Sequence, residues 1–472
     1  MDSARRNLRP YQKSVFYTTL TRPHNALFLD MRLGKTLIAI RSICARLPTI
    51  EKVLIVAPYS AFPAWHDELI RERFTEKEMV FLVGTRAQRL KKFKQALSDS
   101  TVKWYIINVE GWRALQEIAL QRWQAMVFDE SYSLQSPPHV SEKTKTICTS
   151  KFFTRNFRDV PYKYILTGTP APESELNYFM QLLFLDKNIL CEDNYWKFRT
   201  RNFIQYCPHQ YAISEYGKRF LTKQLATCAV FVSRKDVNLG GEKIYEQRAV
   251  ELDKETREIY DRLCNLFILG VGDKIHNVTD IAAVKFSWSR RLLGGFIGAD
   301  EEREDAFEYI FDGKLVELNK LLTGELREQQ VVIWADFTKE IRLIHRHLRT
   351  SKKRVAVIDG SILPQTRDMI EKSFRSGNIQ YLVCQPQASQ YSRDFSSADT
   401  EIFYSSPLAL KTRLQAEDRL ISTKTNSVLV VDLVCKDTIE EDIIESLHKK
   451  ETKQQMIARI VKRLTGENHG RL

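Results

Sequence analysis

Short, almost unbroken apolar runs alternate along this chain with longer stretches whose apolar residues recur every three or four positions. NALFLD (25–30), KVLIVAP (52–58), WYIINVE (104–110), AMVFDE (125–130) and KYILTGTP (163–170) are of the first kind, and GKTLIAIRSICARL (34–47) is of the second. Runs apolar on both faces predict strands of a parallel sheet covered by helices on each side. The series then recurs in QQVVIWADF (329–337), KRVAVIDG (353–360), IQYLVCQP (379–386), TEIFYSS (400–406) and NSVLVVDLV (426–434), with helical TKEIRLIHRHLR (338–349) and TRDMIEKSF (366–374) between them. From about 171 to 325 the pattern is mostly helical and aromatic, with a turn in NLGGEK (238–243). At 472 residues the chain exceeds one ordinary core. The prediction is an α/β protein of two domains, 1–238 and 239–472, each a parallel sheet flanked by helices. The second is expected to open with a helical lead-in (239–325), carry its sheet over 329–434 and end in a C-terminal helix within HKKETKQQMIARIVKRL (448–464).

Composition narrows the partners. A formal net charge of +13 favours polyanions, nucleic acid first, through phosphate contacts and counterion release. The eight cysteines stand singly with no C-x-x-C pair, which indicates neither a zinc site nor a disulfide framework and fits reduced, intracellular thiols; the expected location is the cytoplasm, a host's for a viral protein, with the nucleus the alternative for a eukaryotic one. The N-terminus MDSARRNLRPYQ has no apolar core of signal-peptide length, and no run approaches 18 apolar residues, so neither secretion nor a membrane span is expected.

Chemistry concentrates where strands end, which in parallel sheets is where ligands sit. Gly34-Lys35-Thr36 resembles the end of a phosphate-binding loop entering a helix, although Leu29 holds the place of the usual first glycine. Such a loop needs backbone N–H groups aimed at phosphate, a Lys for the β and γ oxygens, and a hydroxyl for magnesium. Magnesium also needs a carboxylate on a neighbouring strand, and hydrolysis needs one to position water. Asp129 and Glu130, behind the apolar AMVF, suit both roles. A lone GKT or a lone DE is weak; both in this order, each at a strand end, point to a nucleotide site.

The motifs resemble a known family in order. LRPYQ (8–12), DMRLGKT (30–36), VLIVAP (53–58), VFDES (127–131) and LTGTP (166–170), then FVSRKDV (231–237), DGKLVELNKLL (312–322), VIWADF (332–337), VIDGS (357–361), SADTEIFY (397–404), LQAEDRL (414–420) and DTIEEDII (437–444), are similar to the motifs of superfamily-two helicases and translocases of the SWI/SNF-like branch. The compact form is similar to DNA branch-migration helicases of bacteriophages. The resemblance implies two RecA-like domains, ATP and Mg2+ as cofactors, and a monomer acting on double-stranded or branched DNA. It implies that Gln12 reads the base with Arg9 and Tyr11 nearby, that Leu33, Gly34, Lys35 and Thr36 hold phosphates and metal, that Asp129 coordinates the metal and that Glu130 orients water. Thr167 and Thr169 would couple the nucleotide state to movement, and Arg419 with Gln415 would act on the phosphates from the second domain. Pro58, Tyr59, Ser60, Asn108, Gly360, Ser361, Arg367 and Gln387 would face the DNA backbone.

Departures from that family pattern are Arg32 where glycine is usual, Tyr132 where histidine is usual, and Ser422 where a second arginine is expected, with Lys424 a candidate substitute. The segment QPQASQYSRDF (385–395) lacks the expected glycines. These departures leave two further readings open: an ATP-gated nucleic-acid-binding protein with little hydrolysis, and a duplex translocase that displaces proteins without unwinding. The seven tryptophans are expected mostly in the core, and RLKKFKQ (89–95) on a solvated helix face.

Overall fold

The computed structural model describes residues 6–134, 148–172, 174–207, 210–239, 241–271, 280–297, 308–388, 394–421, 427–449, 451, 455–457 and 459–460. The chain forms two compact units, residues 1–239 and 240–472. The first contains α1 (Pro10–Leu20), β1 (His24–Leu29), α2 (Lys35–Arg46), β2 (Val53–Ala57), α3 (Phe62–Arg71), β3 (Met79–Phe81), α4 (Arg86–Ser98), β4 (Trp104–Asn108), β5 (Ala125–Asp129), α5 (Thr149–Asn156), β6 (Tyr162–Leu166), α6 (Tyr178–Leu185), α7 (Tyr195–Asn202), β7 (Phe203–Cys207), β8 (Gln210–Ile213), α8 (Glu215–Cys228) and β9 (Ala229–Val232).

Its main sheet has the order β3-β4-β2-β5-β6-β1-β9 and is parallel throughout. The two-residue period of a strand explains why both faces are apolar. Along β5, Met126 and Phe128 enter a core rich in aromatic rings, including Trp112, Phe152 and Phe153. Ala125 and Val127 enter the opposite core, against Ile38, Trp65 and Leu69. Five tryptophans (65, 104, 112, 123 and 334) are buried as expected, while Trp196 and Trp288 are exposed.

The second unit contains β10 (Glu242–Val250), α9 (Lys254–Val271), α10 (Asp280–Leu293), β11 (Phe296–Ile297), β12 (Glu308–Tyr309), α11 (Gly313–Thr323), β13 (Val331–Trp334), α12 (Thr338–Thr350), β14 (Val355–Ile358), α13 (Pro364–Arg375), β15 (Tyr381–Cys384), β16 (Thr400–Phe403), α14 (Leu410–Glu417), β17 (Ser427–Cys435) and α15 (Ile439–His448). Its parallel sheet runs β10-β17-β16-β13-β15-β14.

Among the described residues, seven strands differ from the sequence expectation: β3, and β7 to β12 in or beside the stretch read as mostly helical. The stretch after 239, expected to begin a helical lead-in, opens as β10, which pairs over nine residues with β17. β10, β9 and β3 all lie at sheet edges. An edge strand has one neighbour and keeps part of its surface in solvent, as β10 does with nearly every position exposed or half-buried, so it need not read as a buried apolar run. Of the tail expected as a helix, residues 455–457 and 459–460 are helical, and much of the rest lies outside the described residues.

Candidate nucleotide site

The loop between β1 and α2 is built around Gly34, which caps α2 with φ +85°. That left-handed conformation is open to glycine at no steric cost. Space demands glycine as well, because a Cβ here would lie 2.5 Å from Gln12 Nε2. The Gln12 side chain donates to Leu33 O at 3.1 Å and accepts from Arg9 N at 3.0 Å, while the Tyr11 hydroxyl donates to Leu33 O at 3.1 Å. The start of α1 is thereby tied to the loop at Leu33. Lys35 folds back, donating to Leu29 O at 2.8 Å and Asp30 O at 3.1 Å. Asp30 in turn accepts from Arg234 N at 2.8 Å, so the end of β9 braces the loop. Lys35 and Thr36 occupy the first turn of α2, where backbone N–H groups and the helix dipole favour an anion.

Two strands away, β5 delivers Asp129 and Glu130 to the same carboxyl end of the sheet. Asp129 is buried; it accepts from Trp65 Nε1 at 2.9 Å and from Glu130 N at 3.0 Å. Burial, reinforced by the neighbouring Glu130 carboxylate, pushes Asp129 up to about 6, against the opposing pull of the Trp65 bond and of Lys35. Glu130 has φ +51°, an uncommon conformation for a side-chain-bearing residue. The strand between, β6, supplies Thr167, whose hydroxyl donates to Glu130 Oε2 at 3.2 Å and accepts from Thr169 N at 3.2 Å. Because β6 separates β5 from β1, the Thr167–Pro170 turn lies between the carboxylates and the glycine loop.

Two residues join this site that the sequence does not announce. Trp65 fixes Asp129 from α3, and Gln181 of α6 joins the carboxylate loop to the Thr167–Pro170 turn. Gln181 accepts from the Ser131 hydroxyl at 2.7 Å and donates to Pro170 O at 2.7 Å. Neither carries a local signal: Trp65 reads as a core residue and Gln181 as a polar break in an apolar helix.

The loops expected at a nucleic-acid backbone do cluster, within each unit. Ala57 pairs with Asn108 across β2 and β4, which sets Pro58-Tyr59-Ser60 beside Asn108. Tyr59 is exposed, and Asn108 accepts from Arg89 Nη1 at 2.9 Å. In the second unit Ile358 pairs with Cys384, so Gly360-Ser361 adjoins the loop of Gln387. Ser361 and Gln387 are exposed. Arg367 points inward, donating to Asp359 O at 2.8 Å and Gly360 O at 3.2 Å, and so shapes that loop from behind it. The basic stretch 89–95 lies in α4, with Lys91, Lys92 and Lys94 solvated.

Arg419 and Gln415 belong to the second unit, where α14 is held rigidly. Arg413 grips Asp432 with two bonds of 2.6 and 2.9 Å and Glu417 with one of 2.6 Å, and Lys243 reaches Glu417 at 2.7 Å. Gln415 is half-buried, and Arg419 is buried just past the helix end. Ser422 and Lys424 lie outside the described residues, as do residues 389–393. Among the described residues no helix is long and apolar enough to cross a membrane.

The model of the SNF2-related domain matches residues 11–294, and that of the helicase conserved C-terminal domain matches residues 313–424. Curated relatives include the CHD3-type chromatin-remodeling factor PICKLE of Arabidopsis thaliana, 24% identical over 500 residues, an alignment covering 95% of this chain and 34% of that protein. They also include the chromatin-remodeling ATPase INO80 of Drosophila melanogaster, 32% identical over 148 residues, covering 31% of this chain and 9% of that one. The chain thus spans about a tenth to a third of the length of these relatives. Among solved structures, the Hef helicase domain of Pyrococcus furiosus superposes with a TM-score of 0.52 at 14% identity, covering 93% of this chain and 98% of that one, which shows the shared fold. With an SNF2-related model matching more than half of its length and a helicase C-terminal model following, this chain of two RecA-like units belongs to the SNF2-related family of superfamily-two helicases and translocases.

Proposed function

We propose that the chain is an ATP-dependent, magnesium-requiring motor that moves along double-stranded or branched DNA and remodels forks and junctions by branch migration. The observation that carries the reading is the chain of contacts from Trp65 through Asp129 and Glu130 to Thr167, set one strand from the Lys35 loop. The donor set fits a magnesium nucleotide. Two adjacent carboxylates, one buried and pushed up to about 6, form a site whose repulsion a divalent cation relieves, and a lysine beside a helix N-terminus suits phosphate. When bound, ATP and Mg2+ supply the transferable phosphoryl group and its charge neutralisation.

In this reading Gln12 presents its amide to the base, with Arg9 and Tyr11 beside it. Lys35 exchanges its two carbonyl partners for phosphate oxygens, while Leu33, Gly34 and Thr36 shape the loop. Asp129 and Thr36 hold the metal, and Glu130 orients the attacking water. Thr167 and Thr169 transmit the change at Glu130 to the rest of the first unit. Arg419 and Gln415 are assigned to the phosphates from the second unit. Pro58, Tyr59, Ser60, Asn108, Ser361 and Gln387 serve DNA, with Arg367 supporting their loop, and the net positive charge supports the same partner. The chromatin-remodeling names of the relatives support DNA as the track, and a cytoplasmic monomer remains the proposed form.

The test is steady-state ATP hydrolysis by the wild type and by Glu130→Gln, alone and with duplex, single-stranded, forked and four-way-junction DNA and with RNA. Stimulation by forked or junction DNA, abolished in Glu130→Gln, is expected. No stimulation by any nucleic acid, with ATP and DNA both bound, would make the chain an ATP-gated binding protein instead.

A further inference from the structure

Residues 195–223 contain six Lys or Arg against a single Glu, interleaved with eight aromatic residues. Of these, 195–207 and 210–223 form α7, the paired antiparallel strands β7 and β8 and the first half of α8, an insertion between β6 and β9 that the nucleotide site does not use. Its surface groups several exposed aromatic side chains within one stretch of the chain. Trp196 is 57%, Tyr206 51% and Tyr216 52% exposed, beside Ile204 at 62%.

Two arginines are layered into these rings. The Arg199 guanidinium lies 4.6 Å from the Trp196 ring centroid and 4.1 Å from that of Tyr211. Arg201 lies 5.5 Å from Tyr216 and 5.3 Å from Phe220, two rings that are themselves nearly parallel, 11° apart. Guanidinium groups held against aromatic rings keep their positive charge, and Arg201 also donates from Nε and Nη2 to the Tyr216 hydroxyl, at 3.2 and 2.5 Å. The support beneath is firm. Phe203 is buried against Phe198, Ser214 N donates to Asn202 O at 2.8 Å, and Gly217 approaches Asn202 so closely that a Cβ would lie 2.1 Å from its carbonyl oxygen.

We propose that this face is a stacking surface for the unpaired bases of a single nucleic-acid strand. Exposed rings on a rigid support offer π-faces to any base, and the flanking positive charge follows the backbone, the combination used by proteins that bind single strands without sequence preference. A paired base hides its faces within the duplex, so the rings select a single strand and the charge alone does not. The surface is also connected to the nucleotide site through α6. Phe179 packs on Tyr195 and Phe198, with ring centroids 5.5 and 5.0 Å apart, while Gln181 of the same helix holds Ser131 and Pro170. The proposal rests on the motor reading for the source of the strand, one arm of an opened fork; binding itself requires no hydrolysis.

The test is fluorescence anisotropy on the full chain without nucleotide, using an oligothymidylate of about 20 nucleotides, an abasic strand of equal length and a blunt duplex. The wild type is expected to bind oligothymidylate at least about tenfold more tightly than the abasic strand. Trp196→Ala with Tyr206→Ala should remove that preference, Trp196→Phe with Tyr206→Phe should keep it, and duplex affinity should change by less than about twofold. Equal wild-type affinity for the thymidylate and abasic strands overturns the proposal, as does an alanine variant that retains the preference. Duplex-stimulated hydrolysis, measured separately, reports on the motor: intact stimulation with no base preference rejects the stacking surface alone.

Discussion

Gln12 and Gly34 meet so closely that a β-carbon on residue 34 would stand 2.5 Å from Gln12 Nε2. Gly34→Ala therefore meets two costs, a left-handed backbone worth ~1–2 kcal/mol for a side-chain-bearing residue and displacement of the Gln12 amide. We expect ATP affinity to fall about tenfold or more and the melting temperature to fall by a few degrees. In a Gln12→Ala background the same substitution should keep only the backbone cost. A double-mutant cycle on nucleotide binding checks this, and additive effects would refute the coupling.

Trp65→Phe keeps the buried ring and removes the N–H that Asp129 accepts. A hydrogen bond to a charged group is worth ~1.5–3 kcal/mol. The magnesium concentration for half-maximal hydrolysis should therefore rise about tenfold or more, with melting little changed. An unchanged magnesium requirement in a folded variant would reduce Trp65 to a packing residue.

Thr167→Val preserves shape while removing both the donor to Glu130 and the acceptor for Thr169 N. If the hydroxyl couples hydrolysis to movement, DNA-free hydrolysis should stay within about threefold of wild type while translocation on duplex, read by triplex displacement, falls about tenfold or more. Equal losses in both assays would assign Thr167 to the chemical step.

Glu340 gives a pH prediction for the second unit. Burial pushes its carboxyl up to about 7 from an ordinary 4.5, despite bonds from the Ser405 hydroxyl and Phe337 N. Between those values the folded unit holds a proton that the unfolded chain has released, so stability falls as pH rises from about 4.5 to 7, by ~1–3 kcal/mol. Glu340→Gln, neutral throughout, should flatten that slope in urea titrations at pH 5 and pH 7.5. An unchanged slope would place the titration elsewhere.

The central strands and the motifs at their ends were legible because both signals are local. An apolar run buried on two faces announces a parallel strand, and β1, β5 and β6 end where Gly34-Lys35-Thr36, Asp129-Glu130 and Thr167 stand in the sequence. The edge strands β3, β9 and β10 were not, although the edge strand β14 was; β10 carries many polar residues on a largely solvated surface and takes its place only by pairing with the distant β17. Arg367 illustrates the same gap: the family resemblance implied a loop position facing the DNA backbone, whereas the fold turns its side chain toward the carbonyls of Asp359 and Gly360.

By itself the sequence determined the repeated α/β plan, the basic surface and the chemistry-bearing residues at strand ends, because hydrophobic periodicity and side-chain type act over a few residues. Only the tertiary structure decided that Trp65 holds Asp129, that Gln181 links Ser131 to Pro170, that Gln12 closes over Gly34, and that the rings of α7, β7 and α8 face solvent. The side-chain contacts among them join residues from 11 to 64 positions apart. At that separation partners are chosen by the packing of whole elements against a sheet, which no local pattern records.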